Sequence, residues 1–182
     1  GYFIDEGGFL SSMDQPAEVS VLEQGPLFVK VAVKGKIGKY SFTQTIRLTQ
    51  GEPRIDMSVK LDWIGSPRIG EPGIEFRADN PRKAFYDDRY KLLVYLPTQI
   101  ANQQIYKDAP FDVCESRLEN TFFNRWDSIK HNIILNWVDV ASKDNSCGLS
   151  LFTDHTTSYA HGKDFPLALN VQYAGKGLWG RD

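Results

Sequence analysis

The densest run of side chains able to do chemistry is Thr153-Asp154-His155-Thr156-Thr157-Ser158-Tyr159-Ala160-His161-Gly162. Imidazole and carboxylate are the ligand types of zinc and related ions, so Asp154, His155 and His161 form a candidate metal set. Their spacing matches no zinc signature, and the run reads as a hydrogen-bonded strand end and turn rather than a metal centre. Carboxylate pairs stand at Asp87/Asp88 and Asp108/Asp112. Two carboxyls flanking a sugar are the machinery of glycoside hydrolysis, but only at a set separation, and these acids fall in loop-like stretches where solvated charge is the default. The chain has no Gly-X-Ser-X-Gly elbow, no phosphate loop and no Cys-X-X-Cys. Cys114 and Cys147 lie in separate segments. One disulfide and two free thiols are both open, and the redox compartment with them.

Aromatic rings offer a second kind of chemistry, since a flat ring can lie against a sugar. Trp126, Trp137 and Trp179 are the tryptophans in question. Trp137 falls inside an apolar strand and reads as core, whereas Trp126 and Trp179 fall in irregular stretches that favour exposure.

The elements that must position these groups are strands. Leu27 to Trp63 holds three successive runs in which apolar and polar residues alternate: Leu27, Val29, Val31 and Val33, then Phe42, Ile46 and Leu48, then Ile55, Met57, Val59, Leu61 and Trp63. A period of two marks strands with one face in a core and one in water. Lys34 to Gly38 and Gln50 to Pro53 carry turn residues, and short turns between such strands mean antiparallel pairing. Gln44 interrupts the apolar side, so it needs a hydrogen-bond partner or an edge position. Residues 1–16 read as a weakly patterned lead-in, and residues 17–182 as one domain. Strands are expected at Ala17–Glu23, Lys91–Leu96, Gln103–Lys107, Phe111–Arg117, Ile129–Val140, Cys147–Thr153, Ser158–His161 and Ala168–Tyr173, with a further short one at Glu75–Ala78. Residues 118–127 read as a loop pinned by Phe122, Phe123 and Trp126. No long 3.6-residue period occurs, so the class is all-β, an antiparallel sandwich or barrel.

The bulk numbers agree. A chain of 182 residues, 41% hydrophobic and 24% charged, suits one globular domain with a real core. Its net charge of −2 argues against nucleic acid, which needs a basic field. No apolar run has the length of a membrane span. The sequence contains no Asn-X-Ser/Thr acceptor and opens on Gly without a signal peptide. It is expected to be a piece of a longer chain.

Several segments together resemble the C-terminal β-domain of glycoside hydrolase family 38 α-mannosidases. They are Gly25-Pro26-Leu27 through Gly35-Lys36-Ile37-Gly38, Gln44-Thr45, Gly51 to Asp56, and Asp62-Trp63. Tyr106 to Val113 follows, with Glu115 and Arg117, and then Trp137-Val138-Asp139-Val140 and Gly148 to Asp154. Order and spacing agree from about Val19 onward. The resemblance implies a galactose-mutarotase-like antiparallel β-sandwich. It implies a parent enzyme that cleaves α-mannosidic bonds with retention, through a carboxylate nucleophile, an acid/base carboxyl and a zinc holding the sugar hydroxyls. In that family the zinc ligands and the nucleophile belong to an N-terminal catalytic part, so no catalytic residue and no metal ligand carries over to this chain. The segment is therefore expected to be inactive alone and to need no cofactor of its own. Its expected partners are the catalytic domain of the same chain and a mannose-containing oligosaccharide, with neither nucleic acid nor membrane. A loop of this domain can help to close the substrate cleft. The candidates are the glycine-rich stretch with Lys176, Trp179 and Arg181, and the stretch with Asp154, His155 and His161. A free-standing carbohydrate-binding module is the alternative.

Overall fold

The computed structural model describes residues 2–5, 8–65, 91–117, 129–162 and 165–173. Expectations that fall on Glu75–Ala78, Asp87/Asp88, the Phe122–Trp126 loop and the Lys176–Arg181 stretch lie outside those residues. The described chain is all strand and connection, with no helix among the described residues. Every strand pairing is antiparallel.

Three sheets result. The first contains β3 (Glu18–Gln24), β4 (Phe28–Ile37), β5 (Tyr40–Thr49) and β6 (Ile55–Asp62), in that order. The β4–β5 hairpin closes through Gly38 and Lys39. Gly38 takes φ 58°, a conformation that glycine adopts without strain, and a Cβ there would lie 2.8 Å from Leu10. Gly35, expected in that turn, instead lies inside β4, where its missing side chain makes room for the Phe42 ring 2.7 Å from an ideal Cβ. Gln44 sits in a central strand, not at an edge, and its amide donates to Met57 Sδ across the β5–β6 pair at 2.8 Å.

The second sheet has six strands in the order β10-β13-β14-β7-β1-β2. These are β10 (Ile129–Ile134), β13 (Thr157–Gly162), β14 (Phe165–Tyr173), β7 (Lys91–Leu96), β1 (Tyr2–Asp5) and β2 (Gly8–Ser11). Two of its strands therefore come from residues 1–16, where the sequence pattern showed none. The third sheet has the order β12-β11-β8-β9, made of β12 (Gly148–Phe152), β11 (Trp137–Ser142), β8 (Gln103–Ala109) and β9 (Asp112–Glu115).

The second and third sheets face each other across the main core. Ile105 and Val138 and Val140 come from the third sheet, and Ile134, Tyr159 and Leu167 from the second, each at most 2% exposed. A second cluster of Ile37, Tyr40, Phe42 and Leu92 fastens the hairpin end of the first sheet to β7, with Leu10, Leu61 and Trp63 packed around it. Trp63 meets Tyr40 edge to face at 4.9 Å between centroids.

The stretch Ile129–Val140, expected as one strand, is two strands in different sheets. Asp108 explains the break. Its carboxylate, buried at the end of β8, accepts the N–H of Leu135 at 2.9 Å and of Asn136 at 2.6 Å. The chain turns there and passes from β10 to β11. Burial alone would raise the Asp108 pKa, but backbone N–H groups of Leu135, Asn136 and Trp137 outweigh it and hold the carboxyl below its ordinary value. Nearby, Lys107 Nζ donates to the Ile133 carbonyl at 2.9 Å.

Asp108→Ala would leave two backbone donors without an acceptor at this corner. The expected loss is about 2–3 kcal/mol, since each donor to a charged acceptor is worth more than a neutral bond. Urea denaturation followed by tryptophan fluorescence measures it, and an unchanged midpoint would contradict the role assigned to Asp108.

Candidate functional site

The structure separates the residues of the polar run 153–162. Asp154 and His155 lie in the β12–β13 connection, both exposed, with His155 Nδ1 2.5 Å from Asp154 Oδ1. That hydrogen bond, aided by the attraction of the imidazole, holds the Asp154 carboxyl below its ordinary pKa. Thr153 N and Oγ1 both donate to the Asn136 carbonyl, and Thr153 Oγ1 also donates to that of His155. The turn is thus internally bonded. His161 stands four residues further along β13 from its first residue, about 14 Å at strand rise, and is 2% exposed. The three candidate ligands do not converge. Among the described residues no group of three His, Cys, Asp or Glu side chains could hold a metal. The described part of the chain therefore offers no fitting site for the zinc that the resemblance implies.

Asp108 and Asp112 are also divided. Register pairs Asp108 with Val113 and Ala109 with Asp112, so the two carboxylates belong to opposite faces of the third sheet. Asp112 Oδ1 accepts its neighbour's backbone N–H, from Val113, at 2.7 Å. Cys114 and Cys147 are both free thiols. Cys114 pairs with Lys107 on β8, which pairs with Val138, while Cys147 lies beyond the far end of the β11–β12 pair. Three strand spacings across and roughly four residues along exceed the reach of a disulfide, about 7 Å between Cα atoms.

His161 forms a polar tie between the two facing sheets. Its Nε2 is 2.7 Å from Gln103 Oε1 on β8, and the Gln103 amide nitrogen faces Thr98 Oγ1 at 3.5 Å. That amide orientation makes Nε2 the proton-bearing nitrogen. Nδ1 is buried and has no hydrogen-bond partner among the described residues. Protonating the ring would add a donor with nowhere to donate, and desolvation holds the His161 pKa below its ordinary value. Two residues away, burial pushes the Tyr159 phenol up to about 12, with the Ser116 hydroxyl opposing it slightly.

Two outward surfaces stand out. On the first sheet, register aligns Val19 with Val33, Gln44 and Val59. The next rows align Val21 with Val31, Ile46 and Met57, and then Val29 with Leu48 and Ile55. This is the face expected to lie in a core. Its outer strands are bare instead, with Val19 67%, Val21 59% and Ile55 58% exposed, while Val29, Val31, Val33 and Ile46 at its middle are half-buried. On the third sheet, the outward face carries Trp137. Val138 and Val140 take the core positions at 0% exposure, so alternation turns Trp137 outward, where it is half-buried. The expectation that Trp137 is core is corrected by this one-residue phase. At the tip of the β8–β9 hairpin, Phe111 is wholly exposed at φ 66°, a left-handed conformation that a bulky residue rarely takes.

The buried neutral His161 has a consequence for stability. Below pH 6.5 the unfolded chain takes up the imidazole proton before the folded chain does. Stability is therefore complete above that pH and falls as pH drops from 6.5 toward the lower folded value. His161→Gln should flatten this part of a melting-temperature profile between pH 7 and 5, and an unaltered slope would refute the assignment.

A family model described as the C-terminal domain of family 38 glycosyl hydrolases matches residues 5–170. No curated protein and no solved structure matches the chain. The match covers the three sheets from the end of β1 into β14. The all-β antiparallel architecture agrees with it, and the chain belongs to the C-terminal domains of the family 38 glycosyl hydrolases.

Proposed function

We propose that this chain is the non-catalytic β-sandwich of a zinc-dependent, retaining α-mannosidase. It packs on the catalytic domain of its own parent chain and helps to shape the cleft that receives a mannose-containing oligosaccharide. The bare face of the first sheet carries this reading. Exposed apolar patches beyond a few hundred square ångströms mark interaction surfaces. Here the registered rows of a four-stranded sheet present valine, isoleucine, leucine and methionine, with Gln44 and Gln24 the polar side chains and no charge among them. A C-terminal domain has more of its own chain before it, and that chain is the occupant at highest effective concentration. Phe111 supports the same reading, since a bulky side chain held bare on strained backbone is a cost that a partner surface can offset. The nucleophile, the acid/base carboxyl and the zinc belong in this reading to the catalytic domain, and the chain alone does not hydrolyse.

Two measurements test the reading. Hydrolysis of a chromogenic α-mannoside is expected from the full-length parent, lost on chelation and restored by zinc, and not from the 182-residue chain. Turnover by the chain itself, or a parent inert toward α-mannosides, would overturn it. Val21→Lys and Ile55→Lys probe the face. In the chain alone each should shift stability by no more than about 0.5 kcal/mol, because the replaced side chains already meet water. In the parent each should cost on the order of 2–3 kcal/mol, from lost apolar burial and a desolvated charge. Equal effects in both would mean that nothing covers this face.

A further inference from the structure

We propose that the outward face of the β12-β11-β8-β9 sheet binds a neutral hexopyranose unit of a glycan, with Trp137 as the stacking surface and Asp139 as the hydroxyl acceptor. The inference rests on membership of a glycosyl hydrolase family, not on mannose being the parent's substrate.

Strand register builds the site. Trp137 is paired with Phe152 on β12, which is 71% exposed. One rung further along the same face, Asp139 is paired with Ser150 on one side and Tyr106 on the other. The two rungs are about 6.8 Å apart, two residues at strand rise, and neighbouring strands are about 4.8 Å apart. A pyranose ring is about 5 Å across, so a ring lying on the Trp137 rung puts its hydroxyls beside the Asp139 rung. The polar groups there are pre-positioned. Ser150 Oγ donates to Asp139 Oδ1 at 2.6 Å, and Tyr106 OH donates to Gln104 Oε1 at 3.3 Å. Asp139 Oδ2 and the Trp137 indole N–H have no hydrogen-bond partner among the described residues. One is an acceptor and the other a donor, the pairing that two adjacent sugar hydroxyls satisfy.

Charge selects the class of sugar. The two rungs carry no lysine or arginine, and the other carboxylates on them are engaged: Asp108 with the Leu135–Asn136 corner, and Glu115, opposite Tyr106, with Arg117 at 3.1 Å. A uronate or sialate would meet an unbalanced negative charge at Asp139, while a neutral hexose meets an acceptor for its hydroxyls. Charge also separates this face from the bare face of the first sheet. The centre of a stable protein contact is depleted in charged residues, whereas here Asp139 lies at the middle of an aromatic surface.

The test titrates the 182-residue chain, labelled with nitrogen-15, with methyl α-mannopyranoside, methyl β-glucopyranoside and sodium glucuronate. Saturable shifts of one indole N–H resonance are expected with at least one neutral hexoside, with a Kd on the order of 1 mM, and none with glucuronate. Trp137→Ala should weaken binding at least 10-fold and Asp139→Asn by roughly 5-fold. Phe152→Ala should weaken it about 3-fold; because that side chain is exposed, its removal leaves no cavity, so this variant stays informative should Trp137→Ala fail to fold. The absence of any saturable shift, binding undiminished in the Phe152→Ala and Asp139→Asn variants, or glucuronate bound as tightly as the neutral hexosides would each overturn the proposal. No hydrolysis enters the readout, so a parent that is not an α-mannosidase leaves this result standing, and a failure here leaves the α-mannosidase reading untouched.

Discussion

The Asp108 carboxylate accepts the N–H groups of Leu135 and Asn136, and the two-layer arrangement turns on that corner. The residues next to it, Ile133-Ile134 and Trp137-Val138, are apolar, and such a run would otherwise continue as one strand in one sheet. A strand that continued straight would leave Ile134 and Val138 in the same layer. With the corner in place they face each other across the core, both at 0% exposure. The anchor comes from β8, a strand that pairs with β11 from Gln103 to Lys107, right up to the anchor, so the corner and the pairing reinforce each other. A backbone turn held by a carboxylate is also directional in a way that hydrophobic contact is not. Burial explains why the sheets adhere, and the corner explains why the chain changes sheet at this residue.

The tie between His161 and Gln103 adds registration to that adhesion. An apolar interface between two sheets tolerates sliding, because its energy depends on area rather than on direction. A buried hydrogen bond of 2.7 Å between side chains from opposite sheets does not. Its effect on net stability is modest, since burying an imidazole costs about as much as one neutral bond returns. What it contributes is a unique alignment at neutral pH, and a sensitivity to acid because the second ring nitrogen has no partner among the described residues.

Much of this architecture was legible as alternation. The three strands between Leu27 and Trp63 are present with antiparallel order, and most later strands fall within two residues of where period and turn chemistry put them. The misses have specific causes. Asp108 is 27 residues from Leu135, and nothing local in the sequence announces a side chain capping so distant a turn. An apolar run points Trp137 to the core, although Val138 and Val140 alternate against Trp137 and Asp139 and contain the correct phase. β1 and β2 lack a clear period of two, and their place in the second sheet follows from pairing with each other and with β7. The candidate residues Asp154, His155 and His161 were grouped by nearness in sequence, which a strand undoes by carrying its two ends about 14 Å apart.

The same alternation that identified the strands of the first sheet misassigned its environment. A period of two states only that the two faces differ, and the apolar face was expected to be in a core. Among the described residues the core reaches that sheet toward its hairpin end, through Ile37, Tyr40 and Phe42, with Val33 and Leu61 packed beside them. The rows beyond it are as apolar as the buried strands of the main sandwich, yet Val19, Val21, Leu48, Ile55, Met57 and Val59 on them stand in water. Sequence composition is selected in the assembled protein, so apolar patterning records what a face meets there. By that criterion the two outward surfaces differ in kind. The first sheet is patterned for permanent cover, with no charge in its rows. The third sheet alternates rings with a carboxylate and hydroxyls, a pattern suited to a ligand that is itself half apolar and half hydroxyl and that comes and goes. One chain can carry both because strand alternation gives each sheet two faces of different character: in the third sheet the inner face builds the core and the outer one carries the rings, and in the first sheet the apolar face extends beyond the core.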